Sequence, residues 1–211
     1  MLNANDPTTP AAVAYNQYLQ GLSSLKISGT GVFTFNAGTV DKLLAKLTTI
    51  DLSGMTSFAS LNADGTQAST TNLSTSTVTL NLKVAESVLL GGAKDTITTA
   101  STVKAMDTIS GFKLNATATS ATTVDTNSSD KLILTGATAG AYVKFVPTAT
   151  TFVGALTEAG AATATNLVFA FGGDTYVYSD TGTAGLDDND VIVKIVGVQD
   201  LDLLIATNAI A

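Results

Sequence analysis

The sequence predicts a mainly β protein, organised as a β-solenoid or β-roll-like stack of short strands with a terminal hairpin and two or three short helices. Three observations favour this fold class. The 211 residues include 36 Thr, a residue that suits strands better than helices, and 18 Gly with only three Pro. Apolar and polar residues alternate with a period of two in many short runs. From Ser76 onward these runs recur at short intervals, as strands of a stacked solenoid do.

Residues 1–61 are predicted to form either an N-terminal lobe or a cap on the stack. Thr9 and Pro10 are typical of a helix start and predict a helix over residues 10–20. Alternation predicts three strands, at residues 25–28, 32–36 and 49–55. Between the second and third of them, four apolar residues are spaced as one helix face: Val40, Leu43, Leu44 and Leu47.

A linker loop is predicted at residues 62–75, and the main domain, a β-solenoid-like stack, at residues 76–211. In this loop Asn62, Asp64 and Gly65 form a turn that could hold Ca²⁺, but an Asx-type turn is favoured over it, because Asp-Gly commonly marks turns without an ion. The main domain then carries successive strand-like runs: STVTLNLKV, SVLLGG, DTITTA, TVKAMDTISGF, KLNATAT, DKLILTG and AYVKFV.

The clearest strand pattern lies near the C-terminal end. Apolar runs at 167–171 and 175–178 flank Gly172-Gly173, and this spacing predicts a tight hairpin. A third apolar run at 191–198 predicts a long strand. The Ala-rich stretch before the hairpin predicts a helix at about residues 153–162.

The loop between the hairpin and the third run is the best candidate site. The candidate ligands are the carboxylates of this loop and of the preceding strand: Asp174, Asp180, Asp187, Asp188 and Asp190. Ca²⁺ takes six to eight oxygen ligands, and glycines in the loop permit tight turns around an ion. The spacing does not match an EF-hand. Two alternatives therefore stay open, a Ca²⁺ site and a set of solvated surface carboxylates.

Composition excludes several kinds of chemistry. The chain has no Cys, His, Trp or Arg, so a Ser-His-Asp triad, a Cys nucleophile and a His-ligated metal cannot be built. The net charge of −7 disfavours nucleic acid as a partner, because phosphate binding needs basic clusters. No apolar run approaches about 20 residues, so we expect no membrane insertion. The N-terminal residues show no signal-peptide pattern. We expect a protein that is not an enzyme.

Several motifs resemble the C-terminal regions of RTX-type bacterial proteins exported by type I secretion, above all S-layer proteins, and more distantly the β-roll domain of serralysin-type proteases. They are Asp174-Thr175-Tyr176 before the acidic loop and the stretch from Asp190 to Gly197 after it. Shorter echoes are DTISGF at 107–112 and SDKLILTG at 129–136. GGAKDTIT at 91–98 resembles the RTX calcium nonapeptide but lacks its third Gly and a tandem copy. Asp95 is therefore expected to cap a turn.

The resemblance implies a secreted, Ca²⁺-stabilised structural module of the bacterial cell surface, with an uncleaved type I secretion signal at its C-terminal end. The partners it implies are further copies in a surface lattice, the type I secretion apparatus and a cell-surface polysaccharide. For the final apolar run, 203–205, a closing strand of the sheet is the alternative to a secretion signal. Two other functions stay open: an adhesin or ligand-binding module, and the secretion domain of a larger RTX enzyme.

Overall fold

The computed structural model describes residues 21–36, 44, 46–56, 58–61, 67–72, 75–80, 84–117, 120–124, 129–206 and 209–211. Within these ranges the protein is mainly β, as predicted. The strands are β1 (Ser24–Gly29), β2 (Val32–Asn36), β3 (Thr49–Met55), β4 (Phe58–Leu61), β5 (Gln67–Asn72), β6 (Thr75–Thr79), β7 (Ser87–Leu89), β8 (Lys94–Thr99), β9 (Asp107–Ser110), β10 (Ala116–Thr117), β11 (Ser120–Val124), β12 (Lys131–Leu134), β13 (Val143–Lys144), β14 (Asn166–Phe171), β15 (Asp174–Ser179) and β16 (Val191–Ile195). The two described helices are α1 (Phe152–Gly160) and α2 (Leu201–Ala206).

Two sheets dominate the architecture. The long sheet has eight strands in the order β1-β3-β7-β9-β16-β15-β14-β13, and the short sheet has four in the order β2-β6-β8-β12. The short sheet is entirely parallel, and the long sheet is parallel from β1 to β16. The β4–β5 and β10–β11 pairs are separate antiparallel hairpins.

The chain alternates between the two sheets. β1, β3, β7 and β9 join the long sheet, and β2, β6, β8 and β12 join the short sheet between or after them. Because side chains alternate across a strand, each strand turns every second residue inward. These residues form one buried apolar cluster fed by both sheets, including Ile50 and Ile109 from the long sheet and Val78, Ile97 and Leu132 from the short sheet. Strands β1–β3, from the predicted N-terminal lobe, thus pair within the same two sheets as later strands.

Successive passes of the chain approach so closely that glycine is required at one crossing. A Cβ atom placed on Gly91 would lie 2.6 Å from the carbonyl oxygen of Leu52 and 2.7 Å from that of Met55. The backbone after β7 therefore packs directly against the backbone of β3.

The C-terminal part completes the long sheet with antiparallel strands. Gly172 and Gly173, with φ of 61° and 90°, turn β14 into β15, which confirms the predicted hairpin. β16 then pairs antiparallel with β15 and parallel with β9, and so joins the hairpin to the parallel strands. Helix α1 confirms the helix predicted at about 153–162. It packs with Phe169 and Tyr178 in a second buried cluster.

The chain end differs in part from both expectations: residues 203–205 belong to helix α2, and the residues that pair with β12 at the edge of the short sheet are Ala209–Ala211. The predicted helix at 10–20, most of the apolar helix face at 40–47 and the turn at 62–65 lie outside the described residues. No helix in the described part of the chain is long and apolar enough to cross a membrane.

Candidate functional site

The acidic loop, residues 180–190, connects β15 to β16 and rests against helix α1. The amide of Asp180 donates to the carbonyl of Thr165 at 2.8 Å. A Cβ atom on Gly160, at the C-terminal end of α1, would lie 2.4 Å from the amide nitrogen of Leu186. The acidic loop therefore packs directly against the C-terminal end of helix α1.

Asp190 is fully buried and organises the loop from within. Its Oδ2 accepts hydrogen bonds from the hydroxyl of Tyr178 at 2.6 Å and from the amide of Asp187 at 2.9 Å. Its Oδ1 accepts from the amide of Thr181 at 2.9 Å. Burial, together with the hydrogen bond to Asp190, raises the pKa of Tyr178, so this hydroxyl remains a donor. Both oxygens of Asp190 are therefore engaged in holding the loop closed.

The other three carboxylates of the loop are more open to solvent. Asp187 accepts from the amide of Asn189 at 2.7 Å and from the Thr183 hydroxyl at 3.2 Å. Asp180 accepts weakly from the amide of Gly185, at 3.4 Å. Asp188 lies 3.8 Å from the Lys104 ammonium, with both side chains about three-quarters exposed, so this pair contributes little.

Asp174 lies apart from the other predicted ligands. It begins β15, while Asp180 follows the end of that strand, a separation of about 20 Å along an extended chain. Its carboxylate pairs with Lys194 at 2.7 Å and accepts from the amide of Gly197 at 2.9 Å. The hydrogen bond from Lys194 lowers the pKa of Asp174. Asp174 thus fastens β15 to β16 at the end of the hairpin opposite the acidic loop.

The described residues contain no group of three acidic side chains arranged to hold a metal ion. The structure thus brings Asp180, Asp187, Asp188 and Asp190 into one loop without converging their carboxylates. Of these four carboxylates Asp190 is the least available to an ion, because it would have to give up its three donors.

Sequence reasoning missed a set of buried acidic groups in the parallel part of the fold. Asp95, Asp107 and Asp130 each stand two positions before an inward apolar residue, Ile97, Ile109 and Leu132 respectively. Period-two alternation places each Asp inward as well, and that was the signal that could have found them. All three are buried.

Asp107 is the acceptor of a network that connects the two sheets. Its Oδ1 accepts from the amide of Glu86 at 2.8 Å, and its Oδ2 from the hydroxyl of Thr99 at the end of β8. The amide of Asp107 donates to the Ser101 hydroxyl oxygen at 2.7 Å. Burial raises the pKa of Asp107 to about 6 in spite of these donors.

Asp95 and Asp130 lie side by side on neighbouring strands of the short sheet. Asp130 Oδ1 accepts from the amide of Asp95 at 2.9 Å, and Oδ2 from the amide of Lys113 at 2.8 Å. Asp95 Oδ1 accepts from the hydroxyl of Ser76, its register partner on β6. Burial raises the pKa of both carboxyls, that of Asp130 to about 7. The expectation that Asp95 caps a turn is wrong: Asp95 is the second residue of β8, it is buried, and it accepts from a side chain of the neighbouring strand.

A cleft of about 280 Å³ lies between the end of β12 and the C-terminal residues. Leu134, Ile205 and Ile210 provide apolar walls, and the backbone of residues 137–141 provides polar groups. The hydroxyl of Tyr142, also at this cleft, is buried and makes no hydrogen bond with any described residue. Burial raises the pKa of Tyr142 to about 12. The cleft lies just below the about 300–1,000 Å³ range of small-ligand pockets.

Compared with known proteins, this chain matches no protein-family model and no curated protein sequence.

Proposed function

We propose that this chain is a structural, secreted module of a bacterial cell surface, of the S-layer type, whose scaffold is a β-solenoid. The alternation of the chain between two parallel sheets that share one core is the observation that supports this proposal most. In a solenoid each pass of the chain adds one strand to each sheet and contacts only its neighbours. β1 with β2, β3 with β6 and β7 with β8 follow this rule.

The use of acidic side chains agrees with a scaffold. Asp107, Asp130, Asp174 and Asp190 each accept backbone amide hydrogens from a neighbouring segment, so they fasten one segment of the chain to the next. Asp107, Asp130 and Asp190 are buried, and a substrate could reach them only if the stack opened. These hydrogen bonds hold neighbouring segments of the chain together, as a structural scaffold requires.

Self-association is the second element of the proposal. β1 and β13 are the outermost strands of the long sheet, and a strand at a sheet edge presents backbone groups that can pair with another chain. Val143 in β13 and Val146 just after it are exposed by 41% and 75%. An apolar, strand-bearing edge of this kind suits contact with a second copy in a lattice.

Calcium is the third element. We assign it to the open carboxylates of the acidic loop, Asp180, Asp187 and Asp188, which an ion would have to draw together. The region from Asp174 to the C-terminal residue carries seven Asp against one Lys, and bound cations would offset this repulsion. Bound Ca²⁺ would add stability to this acidic end only where Ca²⁺ is abundant, that is after export, which suits the type I secretion apparatus and an extracellular location. Surface polysaccharide is the proposed attachment partner.

Light scattering and negative-stain electron microscopy test this function. We expect particles to grow and ordered arrays to form when Ca²⁺ is added at about 5–10 mM, several times the dissociation constants of about 0.1–1 mM of weak extracellular modules. A triple variant, Asp180→Asn with Asp187→Asn and Asp188→Asn, should lose the response. The matched control, Asp200→Asn with Asp202→Asn, also removes acidic charge and should keep it. A monomer under all conditions would refute the assembly proposal.

The cleft beside Tyr142 favours a second candidate function, a ligand-binding or adhesin module. Screening of glycans and small apolar ligands by calorimetry tests it. Ala139→Trp should fill the cleft and abolish binding, whereas Ala161→Trp, outside the cleft, should leave it unchanged. If no ligand binds, this alternative fails.

A further inference from the structure

The scaffold function accounts for the backbone amides that Asp130 accepts, but it does not explain why a second buried carboxyl, that of Asp95, lies beside it. Ser76 and Asp95 are register partners on β6 and β8, and Asp130 immediately precedes the Lys131–Thr96 pair of β12 and β8. One inward-facing polar residue from each of three parallel strands therefore forms a ladder, at the strand spacing of about 4.8 Å. Both carboxyls are at most 2% exposed.

The two carboxyls differ in their hydrogen bonds. Asp130 uses both oxygens as acceptors for backbone amides, an arrangement that stabilises its ionised form. Asp95 Oδ1 accepts a hydrogen bond from the Ser76 hydroxyl, but no described residue donates to the buried Oδ2 of Asp95. A buried carboxylate oxygen with no donor is costly, whereas a protonated one is neutral.

The charged surroundings offer little compensation for two negative charges. The positive charge of Lys113 lowers the pKa of both carboxyls, but this effect is smaller than that of burial. The ammonium group of Lys113 donates to the carbonyl of Gly91 near the surface. Lys94 and Lys131 neighbour the pair along the chain, and alternation directs them to the opposite faces of their strands. The remaining facing group, Ser76, is neutral. Two like charges about one strand spacing apart in a buried site cannot both ionise without a large penalty.

We propose that Asp95 and Asp130 form a proton-binding pair that holds one proton, on Oδ2 of Asp95, and that mild acidification tightens the contact of β8 with β6 and β12 through this pair. The proton comes from solvent and returns to it, and no other group changes its covalent state. Above the pH at which the pair loses the proton, the stack carries two buried negative charges and its free energy of unfolding falls. Burial raises the pKa of both carboxyls, and the charge of Asp95 adds to the rise at Asp130, to about 7. Because two interacting carboxyls titrate as a pair, this supports loss of the shared proton between mildly acidic and neutral pH.

Asp95→Asn imitates the protonated form, because the amide has the same shape without the charge. It keeps an oxygen to accept from Ser76, and no backbone amide loses an acceptor. We expect the melting temperature of the wild-type protein in chelator to rise by at least about 5 °C between pH 7.5 and pH 5. Asp95→Asn should melt higher than wild type at pH 7.5 and show a smaller rise toward pH 5. Asp202→Asn, an exposed matched control with the same charge change, should retain the wild-type rise.

A second measurement keeps the proposal testable if the variant folds poorly. Carbon NMR of the aspartate carboxyls in the wild-type protein should show one carboxyl of the pair titrating above pH 5. The proposal is overturned if Asp95 and Asp130 both titrate below about pH 4, the ordinary range for an aspartate. It is equally overturned if Asp95→Asn melts lower than wild type at pH 7.5 and retains the full rise.

Discussion

Removing the Asp190 carboxylate should destabilise the protein more than any other change in the acidic loop. Asp190→Ala leaves the buried hydroxyl of Tyr178 and the amides of Thr181 and Asp187 without their acceptor. A buried polar group that loses its partner costs about 1–3 kcal/mol. The two amides are only partly buried, so we assign about 1 kcal/mol to each and about 2 kcal/mol to the hydroxyl, or about 4 kcal/mol in all.

The assay is equilibrium unfolding in urea, followed by circular dichroism with chelator present, together with thermal melting. For a chain of this length, a loss of about 4 kcal/mol corresponds to a fall in melting temperature of roughly 8–16 °C. Tyr178→Phe removes one hydrogen bond and should cost only about 1–2 kcal/mol. In the double variant the two effects should not add, because both act through the same bond.

Asp188→Ala is the matched control, since its side chain is 74% exposed; it should change the free energy of unfolding by no more than about 0.5 kcal/mol. If Asp190→Ala is as harmless as Asp188→Ala, then Asp190 does not hold the loop and the reasoning is wrong.

Three other expectations concern the stack. Ile97→Ala, in the fully buried core, should cost about 2–5 kcal/mol in urea unfolding, while Val143→Ala at the exposed edge should cost much less; equal effects would refute the shared core. Gly91→Ala should destabilise by about 1–3 kcal/mol because its Cβ would meet two carbonyl oxygens, and an unchanged melting temperature would contradict that crossing. The raised pKa of Asp107, about 6, makes the folded state hold a proton more tightly than the unfolded state. Its contribution is therefore complete below about pH 4 and is lost as pH rises through 6, about 2–3 kcal/mol in all; unfolding that is independent of pH between 4 and 7.5 would refute it.

Local signals in the sequence were sufficient for the C-terminal hairpin and for α1. Gly172-Gly173 between two aromatic strand-like runs is typical of a tight hairpin, because glycine adopts the positive φ that such a turn needs. The Ala-rich stretch with Thr151 ahead of it starts a helix, where the Thr151 hydroxyl accepts from the amide of Gly154. The strand with which β16 pairs in parallel could not be predicted from such local signals. β16 pairs with β9, more than 80 residues earlier, and nothing in either strand alone specifies that pairing.

The predicted site shows the same limit. Asp174 and Asp180 are neighbours in sequence, but an extended strand between them carries their side chains to opposite ends of β15. Asp190 was singled out as a ligand because it is acidic, although its place directly before a buried strand predicts an inward side chain. Carboxylate count alone does not separate a metal ligand from a buried acceptor.

Helix α2 was not predicted, although the residue before it is a typical helix N-cap. Asp200 accepts from the amides of Asp202 and Leu203, at 3.0 and 3.1 Å, as a residue before a helix does. Asp200 is thus the residue that caps the start of the helix. From the sequence alone it was interpreted only as acidic charge ahead of a strand or a secretion signal.

The central claim is that the chain stacks strands from successive passes in parallel and in register, and disulfide cross-linking tests it most directly. The protein has no Cys, so a pair can be introduced without interference. Thr77 on β6 and Thr96 on β8 are register partners, at a spacing that permits a disulfide. The double variant Thr77→Cys with Thr96→Cys should form an intramolecular disulfide readily, and Thr77→Cys with Thr98→Cys, two residues out of register, should not. Cross-linking of the second pair and not the first would contradict the parallel stack.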